Sequence, residues 1–363
     1  MRTKTNPPYI DLPLFSVILM LFGLSLVILY SASGEDMNQI MKHGIRFGFG
    51  LVLLVIFARI PPRVLLQWSP HVYLAGLVLL VFVLAIGIIG KGAQRWLELG
   101  VFRFQPAEMM RIAVPMMTAW ILARTPLPPR PIFIVLGILV VLVPTGLVIL
   151  QPDLGTATLI AMTGIMVIFL SGIGWKLIFT VLFAMSVITP VMWVFVLHDY
   201  QRSRVLTLFD PWADPLGAGY HIIQSTIAIG SGGFQGKGWL SGTQSQLEFI
   251  PERSTDFIFS VFAEEFGLIG VIVLLLLYLF LVFRGLVIAF YVQDTYSRLL
   301  AGGLSATFFF YVFVNIGMVS GVLPVVGVPL PLMSYGGSSM VTIMIGLGIL
   351  MSIARTKNTL RKG

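Results

Sequence analysis

The stretch Phe257–Phe283, FIFSVFAEEFGLIGVIVLLLLYLFLVF, decides the fold class. Its only charges are the adjacent Glu264 and Glu265, and from Gly267 onward it carries no charged or amide side chain. A helix over this length, rising 1.5 Å per residue, outruns a hydrocarbon core about 30 Å thick. A half-buried strand or a surface helix would show polar positions at period 2 or 3.6, and that pattern is absent here.

Similar runs recur on both sides, at Leu12–Ala32, His43–Ile60, His71–Gly90, Pro106–Ala123, Pro131–Leu150, Thr156–Gly172, Leu177–His198, Leu299–Ser320 and Ser338–Ala354. The 363 residues are 57% hydrophobic and 10% charged, against about 25% charged in an ordinary soluble chain. The runs are too long and continuous for the alternating segments of an outer-membrane barrel. The expected fold is therefore an all-α polytopic membrane protein, a single integral-membrane domain over residues 1–363 with ten transmembrane helices. No small-residue cleavage site is convincingly placed after the first run, so no cleavable leader is expected. The absence of cysteine removes disulfides, thiolate metal sites and cysteine nucleophiles. His43, His71, His198 and His221 show no zinc-ligand spacing.

Basic residues set the expected orientation. With a cytoplasmic N-terminus, the inside segments hold Arg2, Lys4, Arg59, Arg63, Arg124, Arg130, Lys176, Arg284, Arg298, Arg355, Lys357, Arg361 and Lys362. The short outside loops then hold only Lys42, Lys91, Arg95 and Arg103. The positive-inside rule puts both termini in the cytoplasm. The net charge of +8 is thereby topological, and nucleic acid is not an expected partner. Residues 199–255 form a large extracytoplasmic loop between helices 7 and 8, with Trp212, Tyr220, Trp239 and Phe249 available to pack. Connections of this length are usually functional or disordered. Its glycines, Gly230, Gly232, Gly233, Gly236 and Gly238, offer backbone N–H groups that could cradle phosphate, but they match no Walker A pattern and read as flexible loop.

Polar groups inside apolar runs cost several kcal/mol, roughly 2.5–3.5 for a central charge, and call for a reason. Glu108 and Arg111, three apart, share a helix face, either as a neutral pair joining helices or as the wall of a cavity for a charged headgroup. Arg46 either snorkels to the outer surface or binds phosphate. Glu264 and Glu265 diverge by about 100°, so at most one faces a given cavity. Asn315 reads as an interhelical hydrogen-bonding residue. Asp153 and Asp256 both precede apolar runs, where a carboxylate serves as helix cap or first-turn charge unless it has a chemical role. The proline- and glycine-rich stretch 324–339 breaks helix repeatedly, which in a membrane protein marks a segment lining something polar.

These last segments carry a resemblance. Asn315–Pro324 through Ser339, Gln151-Pro152-Asp153-Leu154-Gly155-Thr156, Phe104–Glu108, and Pro251-Glu252 with Thr255–Phe259 resemble the signatures of the SEDS (shape, elongation, division and sporulation) family. Gly219–Ser225 is similar to its rod-elongation branch rather than its division branch. The motifs span nearly the whole chain in order. One position departs: the family commonly has Lys where this sequence has Arg111, which keeps the charge and changes reach and hydrogen-bond geometry.

The resemblance implies a peptidoglycan glycosyltransferase in the bacterial cytoplasmic (inner) membrane. It would join the disaccharide units of lipid II on the periplasmic side during cell elongation. The implied partners are a class B penicillin-binding transpeptidase and the elongation complex around it. The family's essential Asp carries over to Asp256, which would assist deprotonation of the acceptor hydroxyl. The departing lipid diphosphate needs cationic stabilisation, for which Arg46, Lys91, Arg95, Arg111, Arg202 and Arg204 are candidates, with Glu108 and Asp153 completing the substrate site. A divalent cation, Mg or Mn, is a further expectation at an unassigned site; no organic cofactor is expected. An α-linked donor and a β-linked polymer imply direct inverting displacement. A lipid II flippase and a non-catalytic scaffold for the transpeptidase are the competing classes. Asp153, Asp256 and the large loop at one face favour the transferase.

Overall fold

The computed structural model describes residues 10–90, 93–99, 102–195, 199–215, 217 and 219–360. Helices α1 (Leu12–Ala32), α2 (Met37–Arg59) and α3 (Pro62–Ile86) lead into three strands, β1 (Ile88–Gly90), β2 (Ala93–Leu99) and β3 (Phe102–Phe104). Next come α4 (Pro106–Leu122), α5 (Pro131–Leu150), α6 (Leu154–Leu170) and α7 (Trp175–Phe195). Three shorter helices follow, α8 (Asp199–Phe209), α9 (Tyr220–Ser231) and α10 (Thr243–Gln246). The chain closes with α11 (Ile258–Tyr291), α12 (Thr295–Val319) and α13 (Ser338–Leu360). Helices α1, α2, α3, α5, α11, α12 and α13 are long and apolar enough to cross a membrane, and α6 and the end of α7 are shorter apolar helices. The protein is a helical, polytopic integral-membrane protein.

Each apolar run read from the sequence has most of its length on a helix, but the boundaries move, and the last residues of the run ending at Gly90 are strand β1. Helix α2 begins at Met37 rather than His43, because Asp36 caps it by accepting from the Asn38 N–H at 2.9 Å. Helix α3 begins at Pro62 rather than His71, with proline in its first turn, where the missing N–H costs nothing. Hydropathy marks the part of a helix that suits lipid, whereas caps mark where it starts. The run ending at His198 closes outside the described residues, with α7 described to Phe195.

Two features add to the sequence reading. The all-α class holds, and a small sheet accompanies the helices. Between α3 and α4 the chain forms an antiparallel meander, β1 pairing β2 (Ile88 opposite Trp96) and β2 pairing β3 (Leu97 opposite Phe104). A chain that must return to the same end of the bundle satisfies its backbone groups by such pairing. The segment 199–255 is likewise no plain loop, since it contains α8, α9 and α10.

Helix α12 forms the centre, packed against α4, α6, α11 and α13, while α2 lies along α13 and α3 along α4. Asp294 caps α12, accepting from the Ser297 N–H at 2.9 Å and its hydroxyl at 2.6 Å. At the end of the bundle opposite the sheet, Asp11 caps α1 through the Leu14 N–H and binds Arg284 of α11 at 2.6 Å, fastening the two helices. Helix α7 stands apart and makes no extensive packing with any other element among the described residues. Its Trp175, Phe179, Phe183 and Phe195 are exposed, as suits a helix bathed in lipid.

Helix α11 is broken at Gly267 (φ 61°, ψ −164°). The glycine-rich run after α9 fills the break. Lys237 and Gly238 N–H groups donate to the Glu264 and Glu265 carbonyls, and Leu268 and Ile269 donate to the Gly233 and Phe234 carbonyls. Glu264 reinforces the splice by accepting from Lys237 Nζ at 2.7 Å and the Gln244 N–H at 3.0 Å. Glu265, turned the other way, accepts from the Ser31 hydroxyl of α1. The two adjacent glutamates thus serve different neighbours, as their helical divergence predicts.

Candidate functional site

At the sheet end of the bundle, α4, α6 and α12 enclose a network of charges. Pro106 starts α4, and the i, i+3 spacing stacks Arg111 under Glu108. Arg111 Nη1 donates to both Glu108 carboxylate oxygens at 2.8 Å, and Nη2 donates to Thr156 Oγ1 of α6 at 2.9 Å. From α12, the Tyr311 hydroxyl donates to Glu108 Oε2 at 3.0 Å, and its ring lies 4.6 Å below the guanidinium. Glu108 is 4% exposed and Arg111 2%. Such a buried pair holds because each charge has both a counter-charge and hydrogen bonds. One donor, Arg111 Nε, remains without a hydrogen-bond partner.

Asp153 sits at the rim of this network. It caps α6 by accepting from the Thr156 N–H at 3.2 Å, so the capping role read from sequence is real. It also accepts from Gln105 Nε2 at 3.2 Å and pairs with Arg95 of β2 at 3.4 Å. Arg95 Nη2 further donates to the Pro152 carbonyl at 3.3 Å, so the sheet is tied over the start of α6. Arg95, Arg111, Glu108 and Asp153 come together as two positive and two negative charges. They cancel, so this network alone is no strong anion site.

Asp256 occupies the next corner. The sequence reading made it a candidate cap, and the structure corrects this. The helix starts at Ile258, its N-cap is Phe257, and no side-chain cap bond is made. Asp256 is half-buried, one residue outside the helix. Its carboxylate faces the irregular stretch 321–337: a Cβ built on Gly327 would lie 3.4 Å from Asp256 Oδ2. The same stretch crosses the start of α6, where a Cβ on Gly155 would meet the Val326 carbonyl at 2.6 Å. Only glycine permits that approach. The helix-breaking segment therefore bridges the Asp153 and Asp256 corners, as its composition anticipated.

The remaining candidates are spread out. Arg46 of α2 lies over the Tyr335 ring at 4.4 Å, beside the start of α13, and no carboxylate pairs with it among the described residues. Arg202 of α8 donates to the Val194 carbonyl of α7 at 2.8 Å, away from the network. Arg204 is on the same helix with its side chain outside the described residues, and Lys91 lies outside them altogether. Tyr311 was missed by sequence reasoning, although a tyrosine in an apolar run signals a hydroxyl needing a partner. Among the described residues no three His, Asp or Glu side chains gather as metal ligands.

A helical bundle that buries a neutral charge network beneath a broken segment, with the Asp256 carboxylate beside that segment, defines a polytopic integral-membrane protein with a polar interior at one end. Residues 11–359 match the FtsW/RodA/SpoVE family of cell cycle proteins, and the chain belongs to that family. Peptidoglycan glycosyltransferase MrdB of Escherichia coli (strain K12) is 52% identical over 361 residues, covering 99% of this chain and 98% of that protein. A chain from the structure "Structural coordination of polymerization and crosslinking by a peptidoglycan synthase complex" is 36% identical with a TM-score of 0.83, covering 96% of this chain and 98% of its own. The Thermus thermophilus rod shape determining protein RodA is 30% identical with a TM-score of 0.73, covering 96% of this chain and 97% of its own.

Proposed function

We propose that this chain is a peptidoglycan glycosyltransferase that polymerises lipid II during cell elongation. Its full-length likeness to the MrdB glycosyltransferase supports the reaction class. The observation that carries the mechanism is the Asp256 carboxylate, held at the mouth of the buried network and not engaged as a helix cap. In the proposed step, that carboxylate takes the proton from the acceptor sugar hydroxyl. The hydroxyl oxygen bonds to the donor's anomeric carbon as the bond to the lipid diphosphate breaks, inverting the configuration. A well-placed base contributes about 10²–10⁴-fold to such a step. Arg46, with no carboxylate partner among the described residues, is assigned to the departing diphosphate. Glu108, Arg111, Asp153 and Arg95 shape the polar wall, and no step is routed through a cation.

The proposal includes ten spans, both termini in the cytoplasm, the sheet and residues 199–255 on the periplasmic face, and a penicillin-binding transpeptidase as partner. The basic-residue asymmetry supports the orientation. The likeness to a chain of a peptidoglycan synthase complex supports the partner. Two experiments test these points. The purified chain with its transpeptidase, given lipid II in detergent, should yield glycan strands; a flippase or scaffold yields none without another polymerase. A cysteine at Ser241, in a chain with no native cysteine, should react with reagents that cannot cross the membrane, and protection would reverse the orientation.

A further inference from the structure

Asn315, near the end of α12, is fully buried. Its Nδ2 donates to the backbone carbonyl of Asp256 at 2.8 Å and to that of Val328 at 2.7 Å. Both neighbours are acceptors, so the amide has one workable orientation: an oxygen there would face two carbonyls. Its own Oδ1 is buried without a hydrogen-bond partner. A buried acceptor left unsatisfied lowers stability and calls for an explanation. Fastening helices does not supply one, because the two bonds go to irregular backbone rather than to another helix.

The flanking carbonyls are held by the same neighbourhood. The Tyr335 N–H donates to the Ser254 carbonyl at 2.9 Å. Ser334 Oγ donates to the Thr255 carbonyl at 2.6 Å while accepting from the Leu330 N–H at 2.7 Å. The carbonyls of residues 254, 255 and 256 are therefore gripped in succession by α12 and the broken segment. With the peptide after Asp256 fixed, only the two side-chain torsions of the carboxylate remain, and its Oδ2 lies on the side of Gly327, 3.4 Å from where a Cβ there would stand.

We infer that Asn315 is a positioning residue for Asp256, setting the peptide that carries the carboxylate and tying it to Val328 in the segment that faces it. The inference rests on the assignment of Asp256 as the base. Displacing a reacting group by about 1 Å can cost about 10²-fold in rate.

The test uses the full-length chain with its transpeptidase in detergent and labelled lipid II. Asn315→Ala should lower kcat about 10²-fold per folded enzyme, with KM changed less than about threefold. Asn315→Asp preserves the side-chain volume and loses amide donors, so it should also lower kcat and serves if the alanine variant folds poorly. In an Asp256→Asn background, Asn315→Ala should cost little more, because the carboxylate it positions is gone. A lower melting temperature with normal kcat per folded enzyme would overturn the inference, as would a full further loss in the Asp256→Asn background. Near-normal turnover by Asp256→Asn would instead remove the base assignment, a different result from an inactive Asp256→Asn beside a fully active Asn315→Ala.

Discussion

Asp153 and Asp256 stand in matching places, each just before a helix at the sheet end of the bundle, and do opposite things. Asp153 caps α6, pairs with Arg95, accepts from Gln105 and is 3% exposed. Asp256 makes no cap bond, is half-buried, and is held through its backbone carbonyl by Asn315. A carboxylate bound by a helix start and a guanidinium has its lone pairs occupied and is a poor proton acceptor. Gripping the backbone instead fixes the residue in space through its carbonyl rather than through a helix-cap bond of its carboxylate. Under the proposed mechanism, where the restraint is applied separates a structural aspartate from a chemical one.

The largest effect expected from this contrast is at Asp256. Asp256→Asn should lower glycan synthesis ~10²–10⁴-fold with an unchanged melt, since no cap is lost. An equally active asparagine variant would erase the distinction between the corners. Next is Arg111→Ala, which leaves Glu108 buried without its counter-charge and should destabilise by about 3–5 kcal/mol in a denaturation assay. Arg111→Lys keeps the charge and should retain activity, and equal loss in both would mean that the guanidinium geometry itself is needed. Gly327→Ala combines a positive φ of 71° with a Cβ against the Asp256 carboxylate. It should cost about 1–2 kcal/mol in strain and reduce kcat less than Asp256→Asn does. The smallest effect belongs to Asp153→Asn, which still caps α6 and should shift stability by under about 1 kcal/mol while releasing Arg95. A collapse of the fold in this variant would show that the ion pair, rather than the cap, holds the corner.

How much of this was legible depended on range along the chain. The helices followed from apolar runs, and the Glu108–Arg111 pair followed from a spacing of three. The broken segment followed from its prolines and glycines. Thr156 and Tyr311, which complete that pair, lie 45 and 203 residues from their partners, and no local pattern links them. Asn315 was legible as a buried hydrogen-bonding residue but not as one serving Asp256, because its target is a backbone carbonyl that looks alike at every position. The helices within 199–255 were missed because they are short and mixed in polarity, and the capping role given to Asp256 failed by one residue, the N-cap being Phe257.

The splice at Gly267 has a consequence for biosynthesis. The run 233–238 leaves the ribosome before α11 does, so the groups that complete the broken helix already exist when its apolar length reaches the bilayer. In the reverse order, the carbonyls of Glu264 and Glu265 and the amides of Leu268 and Ile269 would meet an apolar medium unpaired, at several kcal/mol each. The chain's order of synthesis and its hydrogen bonding are thus matched, and a circular permutation that placed α11 first would fail at insertion rather than at catalysis.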